Sequence, residues 1–203
     1  RLWFGNLVFS MVFWAISRLL FPEDGGYSIE KHLISYQGDL TLNPIGAWFF
    51  IVSTIITGLV LCSFFAFLHQ RFKSFSTTQS PLMLVAGLIG GLGLSMVGAF
   101  PQGSKGIIGT LHEIGANVAF IGLSIACGIG FIIMAPRILK HQSWPTSGQF
   151  WVLFLLTCHF ALLSVFSTSE SVIQWNGFAA LLVWLNGMFL IVPENTCQES
   201  KVF

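Results

Sequence analysis

The chain has 203 residues, of which 54% are hydrophobic and only 8% charged, and it carries a formal net charge of +1. Soluble domains carry about 25% charged residues, so a surface this poor in charge must largely face lipid. A net charge this small excludes a field able to gather nucleic acid.

A bilayer core about 30 Å thick needs about 20 apolar residues per helix. Six segments meet or approach that length: Leu2–Leu20, Ala47–Leu68, Leu82–Phe100, Ile114–Ala135, Phe150–Phe166 and Val172–Val192. In lipid every backbone polar group needs an internal partner, and continuous apolar runs without two-residue alternation favour helices over a barrel. The expected fold is all-α, a polytopic transmembrane bundle of six helices forming a single domain over residues 1–203.

The chain starts at Arg1 rather than methionine, so upstream residues are expected. Its first apolar segment is longer than a signal-peptide core and lacks a small-x-small cleavage site, and it reads as a retained helix. Arg18 near its end is expected to snorkel to the interface. Next comes the longest loop, residues 21–46, with Glu23, Asp24, Glu30, Lys31 and Asp39. Its later half alternates polar residues with Leu and Ile, a pattern that predicts packing against the bundle. The second helix is rich in phenylalanine and is followed by Arg71 and Lys73.

The third helix carries Gly87, Gly90, Gly91, Gly93 and Gly98; the fourth carries Gly115, Ala116, Ala119, Gly122, Ala126, Gly128 and Gly130. Small residues let helix backbones approach in lipid, and the alternative is that they line a cavity or permit bending. The bulkier second and fifth helices are then expected to face lipid. Lys105 lies between the third and fourth helices, and Arg137 and Lys140 follow the fourth. The positive-inside rule puts the Arg71/Lys73 and Arg137/Lys140 loops and both termini in the cytoplasm. All seven prolines, Pro136 among them, are expected at or just outside helix boundaries. Trp3, Trp48, Trp151 and Trp175 fit an interfacial belt, with Trp14 and Trp184 packed between helices.

The fifth helix holds His159, the one ionisable group near a predicted bilayer centre. Such a residue is a functional candidate by default; the alternative is a neutral histidine bonded to a neighbouring helix. A haem would need a second histidine at that depth, and none is present, so no cofactor is expected. Asn117, Asn176 and Asn186 are expected to bond between helices. No carboxylate or base lies deep in a helix and no broken-helix pair occurs, which gives little support to an ion-coupled transporter. Of the four cysteines, Cys62, Cys127 and Cys158 lie in apolar runs and read as small buried hydrophobes, and Cys197 forms no metal-finger spacing with them.

The expected topology places the long loop, Phe100-Pro101-Gln102, and the starts of the fourth and sixth helices on one outer face. Ser35, Asp39, Asn43, His112, Glu113 and Glu170 form the candidate ligand-binding group there. His32, Asp39, His112 and Glu113 are weaker metal candidates, since imidazole and carboxylate are common zinc ligands. Ser35 beside His112 and an acid would suit a nucleophile and base. No H-E-x-x-H or G-x-S-x-G pattern supports either. The structural alternative is that His112, Glu113 and Asp39 cap helix ends and hold the loop in place.

The run Ile34–Asp39 (I-S-Y-Q-G-D) with Asn43-Pro44, the run Met96-Val97-Gly98-Ala99-Phe100-Pro101, then Leu111-His112, Gly115-Ala116 and Phe120 together resemble a known signature. It is that of the DRAM/FRAG/SFK group and, more closely, of a related prokaryotic family called domain of unknown function 998. Ser169-Glu170 with Trp175 is similar to their last-helix motif. Gln37 departs from the acidic or small residue usual at that place, and Phe-Pro in place of Phe-Gln favours the prokaryotic branch. The resemblance implies a six-helix bundle with cytoplasmic termini, no established enzymatic activity and, for eukaryotic members, roles around membrane lipids, autophagy and lipid asymmetry.

The expected function is therefore a non-enzymatic multi-pass integral membrane protein, of the plasma membrane in a prokaryote, that binds or senses a lipid or small amphiphile from its outer leaflet. The alternatives are a lipid hydrolase or transferase, metal-dependent in one version, and a structural subunit with a membrane-protein partner or a second copy.

Overall fold

The computed structural model describes residues 2–22, 26–141 and 146–191. They form six α-helices: α1 (Leu2–Leu19), α2 (Gly46–Phe72), α3 (Gln79–Ala99), α4 (Ile107–His141), α5 (Thr146–Phe166) and α6 (Glu170–Ile191). A short 3₁₀ turn, Ile34–Gly38, interrupts the α1–α2 loop, and no strand occurs among the described residues. Three stretches, Gly46–Phe72, Gln79–Ala99 and Ile107–Pro136, are long and apolar enough to cross a membrane; Gly5–Leu19 and Gly148–Leu163 are shorter apolar stretches. The expectations for Glu23, Asp24, Pro145, Val192, Pro193 and Cys197 lie outside the described residues.

The elements match the expected order; α2 and α4 extend past their expected bounds at both ends, and α3, α5 and α6 begin earlier than expected. α4 begins at Ile107 rather than Ile114, and it runs through Pro136 to His141 rather than stopping at Ala135. The expectation that every proline lies at a boundary is thus corrected at Pro136. Proline in a helix interior removes one hydrogen bond and crowds the preceding turn, but Ile133 and Met134 before it and Ile138 after it are all buried. Burial on both sides carries the helix through. Arg137 and Lys140 consequently belong to α4 and not to a following loop.

α3 lies between α2 and α4 and packs closely along both. The closeness comes from missing side chains. A Cβ on Gly90 would lie 2.7 Å from the Leu123 amide nitrogen, and one on Gly93 would lie 2.6 Å from that of Ala119. Toward α2, a Cβ on Gly98 would lie 2.8 Å from the Ile51 carbonyl oxygen. Large residues fill the matching hollows: Phe65 of α2 seats on Gly87, and Trp184 of α6 seats on Gly130. Their rings stack 6.1 Å apart in the centre of the core.

Phe50, Phe64, Phe65 and Phe72 are all buried, which corrects the expectation that the phenylalanine-rich α2 faces lipid. On α5 the expectation fits better, since Val152, Leu155, Leu156, Leu162 and Val165 are exposed.

Two helical asparagines bond within their own helix. Asn117 Nδ2 donates to the Glu113 carbonyl at 3.0 Å, and Asn186 Nδ2 donates to that of Leu182 at 2.7 Å. Each partner is four residues back on the same helix, so these two do not make the interhelical bonds expected of them. His159 is exposed on α5 with its ring 5.5 Å from that of Phe160.

Gly90→Leu forces a side chain into the Leu123 backbone and is expected to cost at least 1–3 kcal/mol, as overpacking does. Gly128→Leu meets nothing within 4 Å and should leave stability unchanged. Thermal unfolding of the two variants in detergent checks the contrast, and equal melting would overturn the packing assignment.

Candidate functional site

Three chain connections meet at the α1–α2 loop end of the bundle, and polar side chains fasten them. Asp39 Oδ1 accepts the Thr41 amide at 2.7 Å, the Thr41 hydroxyl at 2.6 Å and the Leu42 amide at 3.1 Å, which closes the turn leading into α2. Gly103, at φ +78°, packs directly on the Asp39 carboxylate, where a Cβ would collide. Only glycine meets both conditions, and it sets the α3–α4 connection on the α1–α2 loop.

Asn43 Nδ2 lies 3.0 Å from the Ser17 carbonyl, 3.1 Å from the Ser17 hydroxyl and 3.0 Å from the Gln37 carbonyl. The Ser17 hydroxyl also donates to Gln37 at 3.2 Å. These bonds tie the end of α1, the 3₁₀ turn and the start of α2 into one unit.

His112 Nδ1 lies 2.7 Å from the Phe100 carbonyl oxygen. A carbonyl only accepts, so Nδ1 carries the proton and His112 clamps α4 to the end of α3. His32 has the opposite arrangement, its Nδ1 accepting the Ser28 amide at 2.9 Å. At the start of α6 the Ser171 hydroxyl donates to the Glu30 carbonyl at 2.7 Å, and Gln174 Oε1 accepts the Ile34 amide at 3.2 Å.

Of the residues singled out from the sequence, Ser35, Asp39, Asn43, His112 and His32 are buried in this cap, whereas Glu113 and Glu170 are exposed. No three of the histidines, cysteines, aspartates and glutamates among the described residues group closely enough to hold a metal ion. Asp39, Asn43, His32 and His112 hold turns and loops, the structural role that the sequence left open.

Beneath the cap lies a cavity of about 400 Å³ with walls almost entirely apolar. α1 lines one side with Trp3, Asn6, Ser10, Trp14 and Arg18, and α6 faces it with Trp175, Phe178 and Leu182. Thr57, Leu94, Ala119 and Leu123 of α2, α3 and α4 complete it. Trp3 to Arg18 is about 22 Å of helix at 1.5 Å per residue, so the cavity follows nearly the whole of α1. The cap residues Ser35, Asp39, Asn43 and His112 do not line it.

The polar groups on this wall are few and mostly unpaired. Ser10 and Thr57 share a hydrogen bond of 2.5 Å across α1 and α2. The Asn6 side chain is buried, and neither its nitrogen nor its oxygen has a partner. The indole Nε1 atoms of Trp3, Trp14 and Trp175 are likewise unpartnered.

Arg18 is half-buried in the last turn of α1. Its guanidinium lies 5.2 Å from the Tyr27 ring centre and 5.5 Å from that of Trp175, held by their π-faces. Burial pushes the Tyr27 phenol up to about 12, against an opposing pull from Gln37, Trp175 and Arg18. Trp175 thus comes near the Tyr27 oxygen without forming a well-aligned hydrogen bond.

The sequence reading missed Asn6 and Ser10. Two polar residues four apart on one face of an otherwise apolar helix were the available signal.

Residues 7–193 match the family profile described as Protein of unknown function (DUF998). The match covers most of the chain, which belongs to this family and is a membrane protein. No curated protein and no solved structure matches it.

In a Tyr36→Phe background, Tyr27 is the remaining tyrosine, and its phenolate absorbance should rise near pH 12 rather than pH 10. The unfolded phenol ionises at the lower value. Its contribution to stability is therefore complete below pH 10 and lost as pH climbs toward 12. A midpoint near the ordinary value would show that Tyr27 is not enclosed.

Proposed function

We propose that this member of the DUF998 family is a six-span membrane protein that holds a lipid or small amphiphile in the cavity beside α1. The polar end of the ligand points toward the α1–α2 loop. The observation that carries the reading is the cavity itself, a long apolar space bordered by aromatic and aliphatic side chains with polar groups at its ends. Ligand sites are commonly apolar pockets of about 300–1,000 Å³ with a few placed polar groups. The wall is apolar enough to take an acyl chain drawn from the bilayer.

In this reading Ser35, Asp39, Asn43 and His112 build the roof of the site and do not touch the ligand. Glu113 and Glu170 stand outside it. The charge pattern of Arg71 and Lys73 against Glu30, Lys31 and Asp39 orients the roof outward and both termini toward the cytoplasm. The cavity then opens to the outer leaflet. The resemblance of the outer-face motifs to the DRAM/FRAG/SFK group supports the same reading, lipid handling without catalysis.

Ala179→Trp on α6 places an indole in the cavity. Native mass spectrometry should find an amphiphile on the purified wild-type protein and about tenfold less on the variant, a loss of about 1.4 kcal/mol of binding. Equal retention would sink the reading. For orientation, Lys31→Cys should react with an impermeant maleimide from outside intact cells and Lys73→Cys only after permeabilisation. The reverse pattern would invert the topology.

A further inference from the structure

We infer that the ligand is an anionic amphiphile whose carboxylate or phosphate is received by Arg18, Trp14 and Trp175 at the cap end of the cavity, with its chain running down α1. The inference rests on the occupied-cavity reading and adds the charge of the head group.

The argument is a count of unspent hydrogen-bonding groups. Guanidinium and indole are donors only. Trp14 Nε1 and Trp175 Nε1 are buried without an acceptor, and among the described residues Arg18 has no carboxylate partner. Asp39 Oδ1 holds the turn at Thr41 and Leu42, and the Tyr27 hydroxyl donates to the Leu33 carbonyl at 2.8 Å, with the Gln37 and Trp175 side chains against its oxygen. The cap end of the cavity therefore offers a positive charge without a carboxylate partner among the described residues, and the indole N–H groups of Trp14 and Trp175 without an aligned hydrogen bond.

An alcohol offers lone pairs but no charge, and a zwitterionic head sets its own ammonium against its phosphate, whereas a head with net negative charge supplies both the acceptors and the uncompensated opposite charge. Stacking of Arg18 against Tyr27 and Trp175 holds the guanidinium in place beforehand. The surrounding apolar wall weakens the dielectric screening of the pair.

A second, independent observation marks the space as built for a ligand. Asn6 is only 7% exposed, lines the same cavity, and has no partner for either side-chain polar atom. It lies about 18 Å from Arg18 along α1. Buried polar side chains without partners are rare in folded proteins. A chain hydroxyl or a trapped water meets this one.

The test uses the full chain in neutral detergent, with competitive binding read by native mass spectrometry. The paired probes are oleate against oleyl alcohol, and phosphatidylglycerol against phosphatidylcholine. At least one anionic member should bind tenfold or more tightly than its counterpart without net charge, about 1.4 kcal/mol. Preference within the oleate pair alone identifies a free fatty acid, and preference within the phospholipid pair identifies a lipid head group. Arg18→Gln should abolish the preference and Arg18→Lys should keep part of it.

Equal affinities within both pairs overturn the inference on wild-type protein alone, whatever the variants do. A preference that survives Arg18→Gln also overturns it, since the head would then be bound elsewhere. If none of the four probes binds the wild-type protein, the occupied-cavity reading itself falls.

Discussion

The close approach of α3 to its two neighbours is the constraint from which the rest of the structure follows. Lipid supplies no hydrophobic drive between helices, so backbones associate through surface complementarity at short range. Gly90 and Gly93 admit α4, and Gly98 admits α2, at distances where even one added carbon would collide. The three helices become a tight slab. α1 and α6 bring indoles and phenyl rings instead, and those cannot lie so flat. They meet through Trp14 and Phe178, 4.8 Å apart, and elsewhere stand on opposite sides of the cavity. Small residues close one half of the molecule, and large ones prop open the other.

The cap completes this division. A loop over an open-topped apolar space would leave its backbone polar groups buried without partners, which is costly. Asp39, Asn43, Ser17 and His112 meet that need one carbonyl or amide at a time. Tyr27 is tied to the same loop through the Leu33 carbonyl, and it and Trp175 are the two rings on which Arg18 rests. Most of the chemistry at the cap is thus spent on architecture, whereas the Gln37 amide within it and Asn6 and the indoles beneath it lack partners.

This separation explains what the sequence could and could not convey. Long apolar runs made the six helices and their order legible, because the bilayer thickness sets a length that few other structures share. Boundaries were less legible where a helix runs past the apolar core, as through the mostly exposed Ile107–Glu113 stretch and beyond Pro136. The small residues of α3 and α4 announced close packing correctly, whereas the phenylalanines of α2 misled. A bulky apolar side chain has the same hydropathy against lipid as against Gly87. The cap residues stood out because polar residues are scarce here, and scarcity alone could not separate a turn-closing Asp39 from a ligand-binding one. The cavity was illegible for the same reason as the α2 core. Leu182 or Ala119 in a cavity wall reads like any residue facing lipid.

Arg18 carries the point furthest. As a position in sequence it was an exception to the charge rule, to be explained by a flexible side chain reaching water. In the fold the two nearest attractions are aromatic faces, and they hold the guanidinium at the rim of an apolar space. A cation kept there loses part of its hydration and gains only partial return from the rings. Such an arrangement persists when something in the same low-dielectric space restores the balance. Water at the interface can do so weakly, and an anionic head group anchored by its own chain can do so strongly. On the proposed reading, the same desolvation that makes Arg18 costly in an empty site makes it selective in a filled one, because a neutral head returns little of what the charge gave up on leaving water.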